Sequence, residues 1–301
     1  MKNDDKIMNF DDFKNENKES SAEFKKMIKN FMSAPQVSAI FDGFDDEYEP
    51  DDPYDYLELA EEAPNEREAL KYAKKALELD KDCLDAEVMI AELSSNASHT
   101  LLEKYRKLLN KAKLRLEKEG FLDEDCFGEF WAILDTRPYM RLYSNYIHLL
   151  VDCRKMRKAV EECKEVLKLN EADNLGIRYV LMNLYAFLED GESATELYKK
   201  YDEENSAMFL LPLSILYYKL DDLKEAEKYL KLLKKANKDT MKFFLAIDNG
   251  NLADDLYSAS PYGYRPYTMD ELMMEVRDFD FLFLSSGMYF EWAGKKIKSL
   301  K

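Results

Sequence analysis

From about residue 53 onward, apolar residues recur at helical spacing, and the helices they predict come in pairs. Five segments share one plan: an apolar helix, a short polar turn, then a helix that opens near a small residue and ends in alternating Leu and Glu or Lys. The plainest second helices are E-A-L-K-Y-A-K-K-A-L-E-L-D (Glu68–Asp80), K-A-V-E-E-C-K-E-V-L-K-L-N (Lys158–Asn170) and E-A-E-K-Y-L-K-L-L-K-K-A-N (Glu225–Asn237). Leu101–Leu114 and Ser193–Tyr201 follow the plan more loosely. Aligned on the opening residue, the marks fall at Ala69, Leu101, Ala159, Ala194 and Ala226, with spacings of 32, 58, 35 and 32. Three lie near the ~34-residue period of a two-helix repeat, and the fourth is one period plus an insertion at 117–136. Short side chains such as Ala69, Ala76, Ala159 and Ala226 fall where two helices must approach closely. A lone helix pair cannot bury its apolar face, so such pairs stack. The expected fold is all-α: an α-solenoid, a right-handed superhelix of helix pairs, over 55–240.

Both flanks leave this pattern. In an N-terminal arm, 1–54, residues 1–19 are polar and charge-mixed. Ser20 or Ser21 can then cap a short helix with Phe24, Met27, Ile28 and Phe31 on one face, ending before Pro35. That helix either docks on the body or forms a detachable peptide-like arm. Asp42–Asp55, with Pro50 and Pro53, is expected to be an extended acidic linker. At the other end, 241–301 reads as a non-repeat helical cap. It contains a Tyr-, Pro- and Gly-rich loop at Ser258–Thr268, a helix capped by Thr268 and running to about Phe283, and a last helix at Met288–Leu300.

Over 55–240 the chain resembles the tetratricopeptide repeat (TPR) family, and K-L-D-D-L-K-E-A (Lys219–Ala226) matches that family's turn into a second helix almost position for position. T-R-P-Y-M-R (Thr136–Arg141), L-N-E-A-D-N-L-G-I-R (Leu169–Arg178) and N-K-D-T-M-K-F-F-L (Asn237–Leu245) also look like a group of bacterial repeat proteins distantly similar to the suppressor of tumorigenicity 7 family. The resemblance implies a scaffold role and supplies no catalytic residues to carry over. Leu57, Ile147 and Ser214 stand where helix-opening glycines of the general repeat are expected, and the turn near Gly191 is short.

Composition agrees with a mostly helical chain: 46% hydrophobic and 35% charged residues, but 9 Gly and 8 Pro in 301 residues. The net charge of −17 is concentrated, because 42–62 holds eleven acids and no base. Nucleic-acid binding, which depends on cations neutralising phosphates, is disfavoured. The longest apolar run, Met208–Tyr218, is interrupted by Pro212 and is shorter than the ~20 residues a membrane span needs. Four separated cysteines (Cys83, Cys126, Cys153, Cys163) and two histidines make no zinc spacing, and a reduced, cytoplasmic protein is expected. Phosphate-cradling and nucleophile-elbow motifs are absent, so the expectation is no enzyme, no cofactor and no metal.

A concave groove remains as the candidate site, lined by the first helix of each pair. In the third to fifth repeats this places Arg141, Asn145 and His148, then Arg178 and Asn183, then Tyr217 along it. Arg forks match carboxylates and Asn pairs with amides, so the set fits a protein or peptide partner. Alternatively these residues are structural, with Arg137 and Arg178 bonded to turn carbonyls or to acids such as Asp135 or Asp173. The insertion, with Phe121, Phe127, Phe130 and Trp131, either packs inside or plugs the groove. A different function is also open: the acidic segment 42–62 engages a basic partner as a polyanion mimic.

Overall fold

The computed structural model describes residues 50–123, 126–201, 206–250 and 265–300. The expected arm helix, the acidic residues 42–49 and most of the Tyr-rich loop lie outside them. The chain divides into two compact units, Met1–Asp52 and Pro53–Lys301, and the second contains the described helices. Among the described residues there are fourteen α-helices and no strand. They are α1 Pro53–Glu61, α2 Glu66–Leu79, α3 Leu84–Leu93, α4 Ser98–Lys118, α5 Arg137–Asp152, α6 Met156–Leu169 and α7 Ile177–Leu188. These are followed by α8 Gly191–Lys200, α9 Ala207–Lys219, α10 Leu223–Ala236, α11 Thr240–Asp248, α12 Met269–Asp278, α13 Asp280–Leu284 and α14 Gly287–Ser299.

Consecutive helices pack as hairpins from α1/α2 through α9/α10, and first helices also touch across pairs: α1 on α3, α3 on α5, α7 on α9. The small residues do the job their spacing implied. Ala76, Ala159, Ala194 and Ala226 have no exposed surface. Ser214 extends the same logic, since its hydroxyl donates to the carbonyl of Ala226 at 2.8 Å across the α9/α10 contact. A larger side chain there would separate the two helices. Side-chain caps start several second helices, with Asn65, Asp190 and Asp222 each accepting a backbone N–H three residues on. Helix α9 is the centre of the body: Ala207 to Leu216 are all buried, Pro212 included. A helix apolar all round has no solvent face. The N–H that Pro212 lacks is offset by burial worth roughly 1.5–3 kcal/mol per large side chain.

The structure corrects several boundaries. The acidic stretch read as a linker ends earlier, because Pro53 occupies the first turn of α1, where its fixed φ is preorganised. Asp55, Glu58 and Glu61 are therefore helical. Helix α4 runs 21 residues, well past Leu114. The insertion then folds back on the turn after α6: Phe130 N–H donates to Leu169 O and Glu171 N–H to Gly128 O, both at 3.0 Å. Phe130 is fully buried against Tyr139 at a ring distance of 6.5 Å. Arg137 donates to Trp131 O at 2.8 Å and lies over its ring. The helix capped by Thr268 breaks at Phe279 into α12 and α13, and α14 packs on α9, α10 and α11.

Candidate partner-binding groove

The first-helix faces meet two different fates. Over α7 and α9 they are covered by the chain itself, since α12 packs on α9 and α13 on α7. Phe187 meets Phe281 edge-on at 5.5 Å. Asn183, with no exposed surface, donates to Tyr179 O at 3.0 Å and to Glu275 Oε1 at 2.7 Å. Glu271, one turn before Glu275, accepts from Ser206 Oγ, Ala207 N–H, Asn237 Nδ2 and Tyr267 N–H at 2.9–3.1 Å. These four donors satisfy one buried carboxylate and tie the start of α12 to the start of α9 and the end of α10. Glu275 is also wholly buried, but its Oε2 and Asn183 Oδ1 have no hydrogen-bond partner. Burial pushes the Glu275 carboxyl well above its ordinary value, with smaller upward contributions from Asp278 and Glu271. A proton on Glu275 Oε2 removes the buried charge and leaves the Oε1 contact with Asn183 in place.

Over α1, α3 and α5 no described helix of the C-terminal part packs on these faces. They enclose a cleft of about 420 Å³ that includes Tyr54, Leu57, Glu58, Glu61, Asp85, Val88, Met89, Glu92, Arg141, Leu142 and Asn145. Arg141 grips Asp85 with two donors, Nε to Oδ1 at 3.1 Å and Nη2 to Oδ2, which ties α5 to α3. Tyr54 O–H reaches the same carboxylate at 3.5 Å, and burial with the Asp85 charge pushes its phenol up. Asn145 is exposed one turn on, beside Tyr105, whose hydroxyl donates to Glu92. Four carboxylates face one guanidinium here, so the cleft is acidic above an apolar floor.

Of the six residues expected along one groove, the structure brings together Arg141 and Asn145, with His148 exposed farther along α5. Partial loss of water lowers the His148 pKa against the raising effects of Asp152 and Asp278. The others point elsewhere. Arg178 Nη1 pairs with Asp173 at 3.2 Å and its guanidinium lies over Tyr179 and Tyr201. Asp173 in turn accepts from Ile177 N–H (2.8 Å) and Arg178 N–H (2.9 Å) at a φ of 50°, which makes the pair a start signal for α7. Asn183 is inside, and Tyr217 stacks on Tyr229 at 5.5 Å while its hydroxyl bonds Thr195 at 2.8 Å. A side chain on a first helix has three neighbours to choose from, and periodicity does not say which it meets. The missed lining residues Asp85, Met89 and Glu92 carry a legible signal, because their i, i+4, i+7 spacing puts them on one stripe of α3.

The chemistry of the other titratable groups is quiet. All four cysteines are free, and burial pushes the Cys83 and Cys163 thiols up, away from the reactive thiolate. Among the described residues no group of three His, Cys, Asp or Glu could hold a metal ion, and no helix is long and apolar enough to cross a membrane. The chain matches no protein-family model, and no curated protein matches it.

Proposed function

We propose that this chain is a TPR-like solenoid acting in the cytoplasm as a non-catalytic scaffold, and that it binds a protein segment in the open part of its groove. The observation that carries the reading is the cleft over α1, α3 and α5. Three successive first helices contribute to it, its floor is apolar, and Arg141 and Asn145 stand at its edge. Backbone amides of an extended segment suit Asn145, and apolar side chains suit Leu57, Met89 and Leu142. The same cleft supports a form of the polyanion reading. Glu58 and Glu61 belong to the acidic segment 42–62 and line the cleft with Asp85 and Glu92, so a segment bearing Lys or Arg fits better than an acidic one.

A photo-crosslinking residue placed at Asn145, with a control at Lys228 on α10, tests this in full-length protein. Partners of the scaffold crosslink at 145 and not at 228, and their capture weakens in Glu58→Gln/Glu61→Gln. Capture that is equal at both positions, or that ignores the charge change, would sink the groove assignment.

A further inference from the structure

Helix α12 places two buried carboxyls in opposite circumstances. Glu271 takes four donors, from Ser206, Ala207, Asn237 and Tyr267, and so pins the start of the helix to the body. Two more contacts hold the same end, Met269 N–H to Asp239 Oδ2 at 3.0 Å and Asn237 Nδ2 to Thr268 O at 2.8 Å. Glu275, one turn later, has no exposed surface, a single donor in Asn183 and an Oε2 with no partner. A buried carboxylate needs a cation or a full set of donors, since nothing else replaces the water it has lost.

No cation among the described residues makes up that deficit. The charges acting on Glu275 are Asp278 and Glu271, both acids of its own helix, and Arg277 is turned to Asp278. From α7 the facing group is the neutral Asn183, while Arg178 is taken by Asp173. Residues 207–216 of α9 carry no charge, and Lys219 at its end is bound to the Ala186 and Phe187 carbonyls. The charges of α11 meet the start of α12, Asp239 at Met269 and Lys242 near Asp270. Asp280 opens α13, and His148 of α5 senses Asp278. Glu275 therefore suits its surroundings only while it carries a proton, in keeping with the upward push of burial on its carboxyl.

The chain around Glu275 is fixed at two places and weak between them. Glu271 is one anchor. The other is α14, whose Tyr289 is wholly buried and donates to Ser214 Oγ at 2.9 Å. Between the anchors the helix breaks at Phe279, and the turn into α14 is flanked by Leu284 and Met288, 79% and 67% exposed. A side chain added at Gly287 in that turn would touch nothing. Residues 274–284 are thus held by the burial of Phe279, Phe281, Leu282 and Phe283 and by what Glu275 contributes, and Phe281 covers Phe187 of α7.

We propose that residues 274–284 are a pH-gated cover on α7, shut while Glu275 is protonated and released when it ionises, which uncovers Phe187. Opening returns Glu275 to water, where it titrates as an ordinary carboxyl near 4.5, so opening releases a proton. The closed form is fully favoured below that pH and loses ground as pH rises through the native pKa. The cover is distinct from the cleft over α1, α3 and α5 and does not depend on what that cleft binds.

Hydrogen exchange of the full-length protein between about pH 5 and 8, read by mass spectrometry and normalised to α6 amides in the same sample, tests it. In wild type, protection over 274–284 falls with rising pH by up to about tenfold per unit for the one proton released, while α6 and α10 keep theirs. Glu275→Gln abolishes the dependence and stays closed. Asp278→Asn, at an exposed position, removes the largest charge acting on Glu275 and makes the dependence shallower, so the test stands even if the buried substitution fails to fold. His148→Gln leaves the profile unchanged. A flat wild-type profile overturns the proposal, as does a dependence retained in full by Glu275→Gln or Asp278→Asn. Loss of the dependence in His148→Gln, or protection lost together across all helices, overturns it as well.

Discussion

Glu275 shows how much one carboxyl can say about pH. Its native pKa lies above the ordinary 4.5 because burial disfavours the charge, so the folded state holds a proton that the unfolded chain releases. Stability from this group is complete below about pH 4.5 and declines as pH rises through the native pKa. Glu275→Gln keeps the shape and removes the titration. Its melting temperature should gain on that of wild type as pH rises above 4.5, as calorimetry would show; parallel curves would mean that Glu275 titrates normally. Burial raises the Asp173 carboxyl too, against the lowering effect of the Arg178 and Ile177 backbone N–H groups and of the Arg178 charge. Its side chain has no exposed surface and accepts two backbone N–H groups besides pairing with Arg178. Asp173→Ala removes a buried acceptor from two backbone N–H groups and leaves the α7 start uncapped, at a cost of about 1–3 kcal/mol in urea denaturation. Asp173→Asn keeps the acceptor and tolerates the positive φ, so it should cost less than half as much.

At the scale of elements, α12 is the piece whose position matters most. Its Met269, Leu272 and Met273 are buried, and Glu271 gathers four donors from three other parts of the chain. Glu271→Ala orphans buried donors at a cost of about 1–3 kcal/mol each, partly relieved by water. Hydrogen exchange should then show α12 and α13 losing protection while α5 and α6 keep theirs. A uniform loss would mean that the cap is not a separate cooperative unit. Helix α9 offers the contrast, because its faces touch α7, α10, α12 and α14 at once. Leu213→Ala at its fully buried centre should lower global stability by about 2–5 kcal/mol, with every helix affected together.

For the whole molecule, the consequence is that the C-terminal helices cover some first-helix faces and not others. The first helices of the later pairs are covered, and those of the earlier ones are open to an acidic cleft. Ending the chain at Gly250 removes α12, α13 and α14, exposing Phe187 and the parts of α9 that α12 and α14 cover. Such a protein should self-associate in size-exclusion chromatography and bind a hydrophobic dye; a soluble monomer with an unchanged melt would mean that the covering is dispensable.

The all-helical class was legible in the chain because it depends on local periodicity; the number of helices was not, since the helix expected from Thr268 to about Phe283 is two and Thr240–Asp248 adds another. Of the small residues expected at close helix approaches, Ala76, Ala159 and Ala226 are fully buried and Ala69 nearly so, and Thr268 caps the helix it was expected to cap. The groove residues were legible only in part. Arg141 and Asn145 line the open cleft, but Asn183 and Tyr217 turn inward and Arg178 serves the start of its own helix. The sequence by itself determined which residues are helical and which faces are apolar, since both follow from neighbours three and four positions away. Only the tertiary structure decided what covers each face. That choice depends on contacts such as Asn183 with Glu275, 92 residues apart. No periodicity within a helix encodes such a contact, because the energy resides in the burial and hydrogen bonds formed once both segments are in place.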